Sequence, residues 1–296
     1  MRMENYYIFT NNKKDPDQVF TRLLMGYLIR NDRNCIQLNS VTDEEMNAEM
    51  DGELLRRNAK LDPERDCLIV IGGDGTVIRA AHLALGSGIP ILGINLGTLG
   101  YLAEVERTNW REMMTLLLGG YYEVETRMML EGRMIERDGK PVNDSAVYHA
   151  LNEAVIVRNS AIKAMNFNVY VDGHLLNNLN ADGIIVSTAT GSTDYNMSAG
   201  GPLVEPKAQL ILLTPICAHT LNTRSVVLSA EDSVVIELVR AARNEKMQAE
   251  AVFDGGNSFS LKAGDRIEIR RSTEVTNLVK ISRRSFLSTL HKKLTS

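Results

Sequence analysis

At 296 residues, with 44% hydrophobic content, the chain is long enough for one large domain or two ordinary ones and has apolar side chains enough for a packed core. This composition excludes a disordered tail protein; the formal net charge of −4 with dispersed Lys and Arg predicts no nucleic-acid groove, while a local anion site stays open. No apolar run approaches the ~20 residues of a membrane span, and Met1 to Thr10 lacks the basic-then-apolar order of a signal peptide, so a cytoplasmic protein without membrane contact is expected.

Tyr6 to Phe9 reads as a first strand, and Asp15-Pro16 opens an amphipathic stretch bearing Val19, Phe20, Leu23, Leu24, Tyr27 and Leu28. Cys35 to Leu38 is a candidate second strand, and the acidic stretch Asp43 to Asp51 reads as a solvated face. Cys67 to Ile71 is a continuous apolar run, the pattern of a strand buried on both sides of a parallel sheet. Val77 to Leu85 is helical in composition, and Ile89 to Ile94 is the next strand. Strand, helix and strand with short links predict a doubly wound, Rossmann-like α/β domain over 1–120.

From Tyr121 the periodicity changes. Phe167 to Val171 alternates with period two, and Asp-Gly pairs at Asp138-Gly139, Asp172-Gly173 and Asp254-Gly255 mark turns. Further strands are expected at Gly183 to Thr188, Leu210 to Leu213, Val234 to Val239, Arg266 to Arg270 and Leu278 to Ile281. A short helix is expected over Thr193 to Gly200 and a terminal one over Ser285 to Leu294. The second part, 121–281, is therefore expected to be an antiparallel β domain, with 282–296 grouped with the first. The three cysteines are far apart and odd in number, which predicts free thiols in a reducing compartment, Cys67 and Cys217 in buried strands. The five histidines show no metal-ligand spacing, and no zinc site is expected.

Gly72-Gly73-Asp74-Gly75-Thr76 follows the strand ending at Ile71 and runs into a helix. Glycines let a ligand approach the backbone, and free N–H groups at a helix start attract an anion. Arg79, read as a cation in the first turn of that helix, opposes the macrodipole unless a phosphate receives it. Asp74 is the one carboxylate where a hydroxyl and a phosphoryl group could meet; the turn alone also fits an Asx-type turn. Gly93 to Tyr101 is a second glycine-rich loop, on the same sheet edge if the order holds, and alone it also fits a packing loop. Asn152-Glu153 at a strand start pairs an amide with a carboxylate, which suits ribose hydroxyls or a plain strand end. Asp182 to Pro202 reads as a buried strand, a Gly/Ser/Thr turn and a two-turn helix on which Tyr195 and Ser198 share a face. Thr193 at the helix start and an aromatic ring among small polar residues suit a purine, or a capped surface helix.

Gly72 to Thr76, Gly97-Thr98-Leu99-Gly100-Tyr101, Asn152-Glu153, Asp182-Gly183, Thr190-Gly191-Ser192-Thr193 with Tyr195, Ser198 to Pro202, and His219-Thr220-Leu221 stand in the order and spacing of NAD kinases. From about Leu68 to the C-terminus the chain resembles that family. The resemblance implies an α/β domain joined to a β-sandwich-like domain, and a phosphotransferase that uses ATP with Mg²⁺ or another divalent cation to phosphorylate the adenosine ribose 2′-hydroxyl of NAD, as a homodimer or homotetramer. It implies Asp74 as general base and Gly72, Gly73, Gly75 and Thr76 as phosphate holders. It implies Asn152 and Glu153 at a ribose, Asp182 at the nicotinamide carboxamide, and Thr193, Tyr195 and Ser198 at the adenosine end, where Asp194 is a further candidate contact. It implies Arg79, Tyr101, Lys163 and His219 as further substrate contacts.

Three positions depart from the family pattern: Asp194 replaces a small residue, Asn180 stands where many bacterial members carry Arg, and Asp254-Gly255-Gly256 lacks a Gln often third in that turn. Diacylglycerol kinases and phosphofructokinases share a Gly-Gly-Asp-Gly turn, but Asn152-Glu153 with Thr190 to Pro202 is not expected in them. A silent NAD(P)-binding sensor has no need of Asp74. With no Gly-x-Ser-x-Gly turn, a serine hydrolase is remote.

Overall fold

A computed structural model describes residues 3–38, 61–97, 100–159, 164–219, 224–239, 248–282 and 284–295. Asp43 to Asp51, Thr98-Leu99, Lys163 and Thr220-Leu221 lie outside the described residues. The chain forms two compact units, Met1–Arg127 with Glu274–Ser296, and Met128–Thr273.

In the first unit, strands Asn34–Gln37, Asn5–Thr10, Asp66–Gly72 and Ile91–Asn95 lie side by side, all parallel. Val105–Glu106 and, through Leu278, the long strand Arg266–Lys280 also pair in parallel with Ile91–Asn95. Every residue of Asp66–Gly72 is buried, as its apolar run requires. Tyr6, Ile8, Cys67, Ile69, Ile71, Leu92 and Ile94 share one core with Phe20, Leu24 and Leu28 of helix Val19–Arg30. Asp15 starts that helix by accepting the N–H groups of Phe20 (3.2 Å) and Thr21 (2.9 Å). Helix Trp110–Gly119 joins the same core; Trp110 meets the edges of Phe20 and Tyr27 at 5.5 and 5.4 Å between ring centroids. Helix Asp74–Leu83 follows the third strand and helix Phe286–Thr295 closes the described chain.

The second unit is a sandwich. One sheet is antiparallel in the order Val226–Ser229, Leu210–Ile216, Gly183–Thr188, Glu153–Arg158, Gln248–Phe253, Asn257–Lys262. The other pairs His174–Ala181, Met165–Val171, Val234–Leu238 and the first part of Arg266–Lys280. Apolar side chains from both, among them Phe167, Val169, Ile184, Val186, Ile236 and Phe253, form a single core. The fold is thus α/β with a β-sandwich-like unit.

Asp138-Gly139, Asp172-Gly173 and Asp254-Gly255 all take positive φ, the conformation that Asp-Gly turns favour. Three expectations are corrected. Arg266 to Arg270 and Leu278 to Lys280 belong to one continuous strand, which ends before Ile281. The two-turn helix over Thr193 to Gly200 is a 3-10 turn, Thr190–Thr193, followed by a single α turn, Tyr195–Ser198. Cys217 is exposed, just past strand Leu210–Ile216 at φ 47°, whereas Cys67 is buried in its strand.

Candidate functional site

Two constellations carry the candidate residues, one in each unit. In the first unit, three loops converge after the carboxyl ends of adjacent parallel strands, where open α/β sheets bind ligands. Helix Asp74–Leu83 begins directly after Gly73, so Asp74 is its first residue. Thr76 Oγ1 reaches back to accept the Gly73 N–H (3.3 Å) and also accepts the Asn11 amide (3.2 Å), tying the first loop to this one. Leu96 N–H donates to Gly72 O at 3.1 Å, tying in the third.

Asp74 turns its carboxylate to the end of the second glycine loop and the two residues after it. Oδ2 accepts from the Tyr101 N–H at 2.6 Å, and Oδ1 from those of Leu102 (3.1 Å) and Ala103 (3.2 Å). A side chain on Gly100 would overlap this carboxylate, so Gly100 is a close-approach glycine. Of the roughly four acceptor positions of a carboxylate, three are filled by amides and, among the described residues, one on Oδ2 stays open. Asp74 is therefore not an Asx-type turn residue bonded only to its own loop. The Tyr101 ring lies 6.1 Å from Phe286 and under the Lys293 ammonium at 4.0 Å; burial, then the Asp74 charge, raises the Tyr101 phenol above its ordinary pKa. Arg79 is the sixth residue of its helix, in the second turn, which corrects its expected place in the first.

Sequence reasoning missed Lys14. Its Nζ stands 2.5 Å from where a Gly73 Cβ would be and 3.3 Å from where a Gly97 Cβ would be. An ammonium is thus carried to both glycine loops from the end of the first strand. Its neighbours Asn11 to Asp15 carried the signal, a polar turn after a buried strand.

In the second unit, Asn152 and Glu153 are 4% and 6% exposed. Asp254 holds them: its carboxylate accepts the N–H groups of Leu151 (2.7 Å), Asn152 (2.8 Å) and Glu153 (3.1 Å). Sequence reasoning took Asp254 only as a hairpin residue. The Asn152 Nδ2–H donates to Asp194 Oδ2 at 2.7 Å. Among the described residues, Asn152 Oδ1 and Glu153 Oε2 are buried without a hydrogen-bond partner. Burial, and then the charges of Asp194 and Asp254, push the Glu153 pKa up to about 9.

Gly191 brings the 3-10 turn against this pair; a Cβ there would overlap Asn152 O and stand 2.5 Å from Ser187 Oγ. Asn196, fully buried, braces the turn by accepting from Thr214 Oγ1 (2.7 Å) and donating to Pro202 O (3.1 Å). Thr193 Oγ1 reaches Thr190 O at 3.5 Å, and Tyr195 is 40% exposed rather than in the core. Ser198 lies on the same exposed turn.

Asp182 is elsewhere. It pairs with Arg158 at 3.3 Å, beside the Gly183 end of its strand, whereas Glu153 lies opposite Ser187 at the other end. About 17 Å of strand separates the two ends, so only an extended ligand would reach both. The His219 N–H donates to Asn180 O (2.8 Å), and Asn180 Nδ2 to Asn166 Oδ1 (2.7 Å), near the Asp182 end. Among the described residues no group of three or more His, Cys, Asp or Glu could hold a metal ion, and no helix is long and apolar enough to cross a membrane.

Two family models match the chain: the ATP-NAD kinase N-terminal domain over residues 30–122 and the ATP-NAD kinase C-terminal domain over residues 151–281. The chain is similar to the NAD kinase of Lachnospira eligens, 39% identical over 99% of this chain and 100% of the relative. It is also similar to that of Lachnoclostridium phytofermentans, 36% identical over 98% and 99%. Among solved structures, yeast NADH kinase complexed with NADH superposes with a TM-score of 0.80 at 22% identity, covering 100% of this chain and 88% of the other. An Archaeoglobus fulgidus NAD kinase in complex with ATP gives 0.73 at 23%, covering 97% and 98%; both likenesses speak to fold.

Proposed function

Because the chain belongs to the NAD kinase family, we propose how its own residues carry the transfer of a phosphoryl group from ATP to NAD, giving NADP and ADP. Asp74 is the general base. Its open acceptor position on Oδ2 takes the proton of the adenosine ribose 2′-hydroxyl, while the three amides on its other positions fix its direction. That carboxylate geometry is the observation that carries the reading. The Gly72 to Thr76 turn, at the start of its helix, and the Lys14 ammonium hold the phosphates, since phosphoryl transfer depends mostly on positioning and charge neutralisation.

Asn152 and Glu153 take ribose hydroxyls; Thr193, Asp194, Tyr195 and Ser198 form the adenosine end; Asp182 meets the carboxamide, with Arg79, Tyr101, Lys163 and His219 as further contacts. The divalent cation enters with ATP, as part of the donor substrate. The residue ranges 1–120 with 282–296, and 121–281, are the proposed division of labour. A homodimer or homotetramer in the cytoplasm is the proposed setting; sedimentation equilibrium reads the assembly.

The test is direct. Purified protein, NAD, ATP and Mg²⁺ are incubated, and NADP is detected with an NADP-specific dehydrogenase. NADP formation is expected, and its absence with every phosphoryl donor would end the reading.

A further inference from the structure

The side chains of Asn152 and Glu153 leave two buried oxygens, Oδ1 and Oε2, without partners among the described residues, an arrangement that costs free energy until a ligand satisfies them. What the pair offers a ligand depends on a third residue. Asp194, from the junction between the 3-10 turn and the α turn, takes the Nδ2–H of Asn152. An amide has a donor end and an acceptor end, so this bond commits the donor and leaves Oδ1 for the ligand.

We propose that Asp194 is a positioning residue for the ribose grip: it locks the Asn152 amide with Oδ1 free, and its charge adds to burial in favouring the form of Glu153 that donates to a hydroxyl. The proposal rests on the assignment of Asn152 and Glu153 to a ribose. The charges that raise Glu153 come from Asp194 and from Asp254 on the opposite hairpin. Asp254 is already committed to three amides of the Asn152-Glu153 segment, whereas Asp194 is exposed and makes its bond to Asn152. Asp194 is therefore the charge that can be changed without unlatching the segment.

With Glu153 raised to about 9, it keeps its proton at neutral pH and donates, while Asn152 Oδ1 accepts. A donor beside an acceptor matches a vicinal diol, one hydroxyl giving and the other receiving. An ionised Glu153 beside the neutral Asn152 Oδ1 would make both groups acceptors, would demand a donor from each hydroxyl, and would place a third charge beside those of Asp194 and Asp254.

Calorimetric titration of NAD into the full chain, over a pH series, tests this. Wild-type affinity should hold at neutral pH and weaken as pH rises through about 9, because binding draws on protonated Glu153. Asp194→Asn keeps an acceptor for Asn152 but loses the charge, so its midpoint should move to lower pH. Asp194→Ala loses both, and should also bind NAD about tenfold more weakly at neutral pH. Glu153→Gln should abolish the midpoint. A midpoint unmoved in Asp194→Asn, or wild-type affinity in Asp194→Ala, would overturn the proposal. If Asn152→Ala and Glu153→Gln both bind NAD like the wild type, the ribose assignment itself fails. If they weaken binding while the Asp194 variants do not, only the role of Asp194 fails.

Discussion

Gly100 and Asp74 occupy one space: the carboxylate of Asp74 packs where a Gly100 side chain would be, and grips the three amides that follow. The two glycine-rich loops are thus one device, in which the second fixes the direction of the acid in the first. Gly100→Ala should displace that carboxylate while changing nothing else in the loop chemistry. Turnover should fall by at least ~10-fold, toward the ~10²–10⁴-fold contributed by a positioned general base, in a protein whose circular dichroism is unchanged. Full turnover in this variant would show that the packing is slack.

Asp254 plays the matching part in the second unit, holding Leu151, Asn152 and Glu153 by their amides. Asp254→Ala leaves three N–H groups without their acceptor, at a cost of roughly 2–3 kcal/mol. Both a lower melting temperature and a higher KM for NAD are expected, read by differential scanning fluorimetry and steady-state kinetics. A lower melting temperature with unchanged KM would separate Asp254 from the ligand.

Much of this was legible in the sequence, because the signals were local. The buried strand Asp66–Gly72 announced itself by an unbroken apolar run, and the Asp-Gly turns by a dipeptide that accepts positive φ. Helix Trp110–Gly119 went unassigned although Asn109 precedes it and Gly120, at φ 82°, ends it. The strand Arg266–Lys280 reads as two because Arg270, Arg271 and Ser272 interrupt its apolar alternation, while the strand itself continues through them. Lys14 and Asp254 were legible only as members of polar turns: their partners lie about 60 and 100 positions away respectively, a juxtaposition only the folded chain creates.

Lys14 should matter to the donor more than to the acceptor. Lys14→Gln removes the ammonium beside Gly73 and Gly97, and the loss of one charge-assisted phosphate contact should raise KM for ATP by about tenfold. Lys14→Arg should restore part of it, and KM for NAD should stay unchanged. Equal effects on both substrates would assign Lys14 to the loop's architecture instead.

Glu153 also links stability to pH. Its pKa is raised from 4.5 to about 9 in the folded protein, so between those values the unfolded chain releases a proton that the folded chain keeps. The folded state then binds more protons, and this group's contribution falls as pH rises from 4.5 toward 9. Glu153→Gln does not titrate. Its melting temperature relative to wild type should therefore climb over that interval, and a flat difference would mean that Glu153 ionises normally.

The central claim is that Asp74 removes one proton from one ribose hydroxyl. Asp74→Asn keeps the size of the side chain and removes the base. Measured side by side, calorimetric NAD binding should remain near wild type while NADP formation falls by ~10²–10⁴-fold. Near-normal turnover in Asp74→Asn would contradict the account.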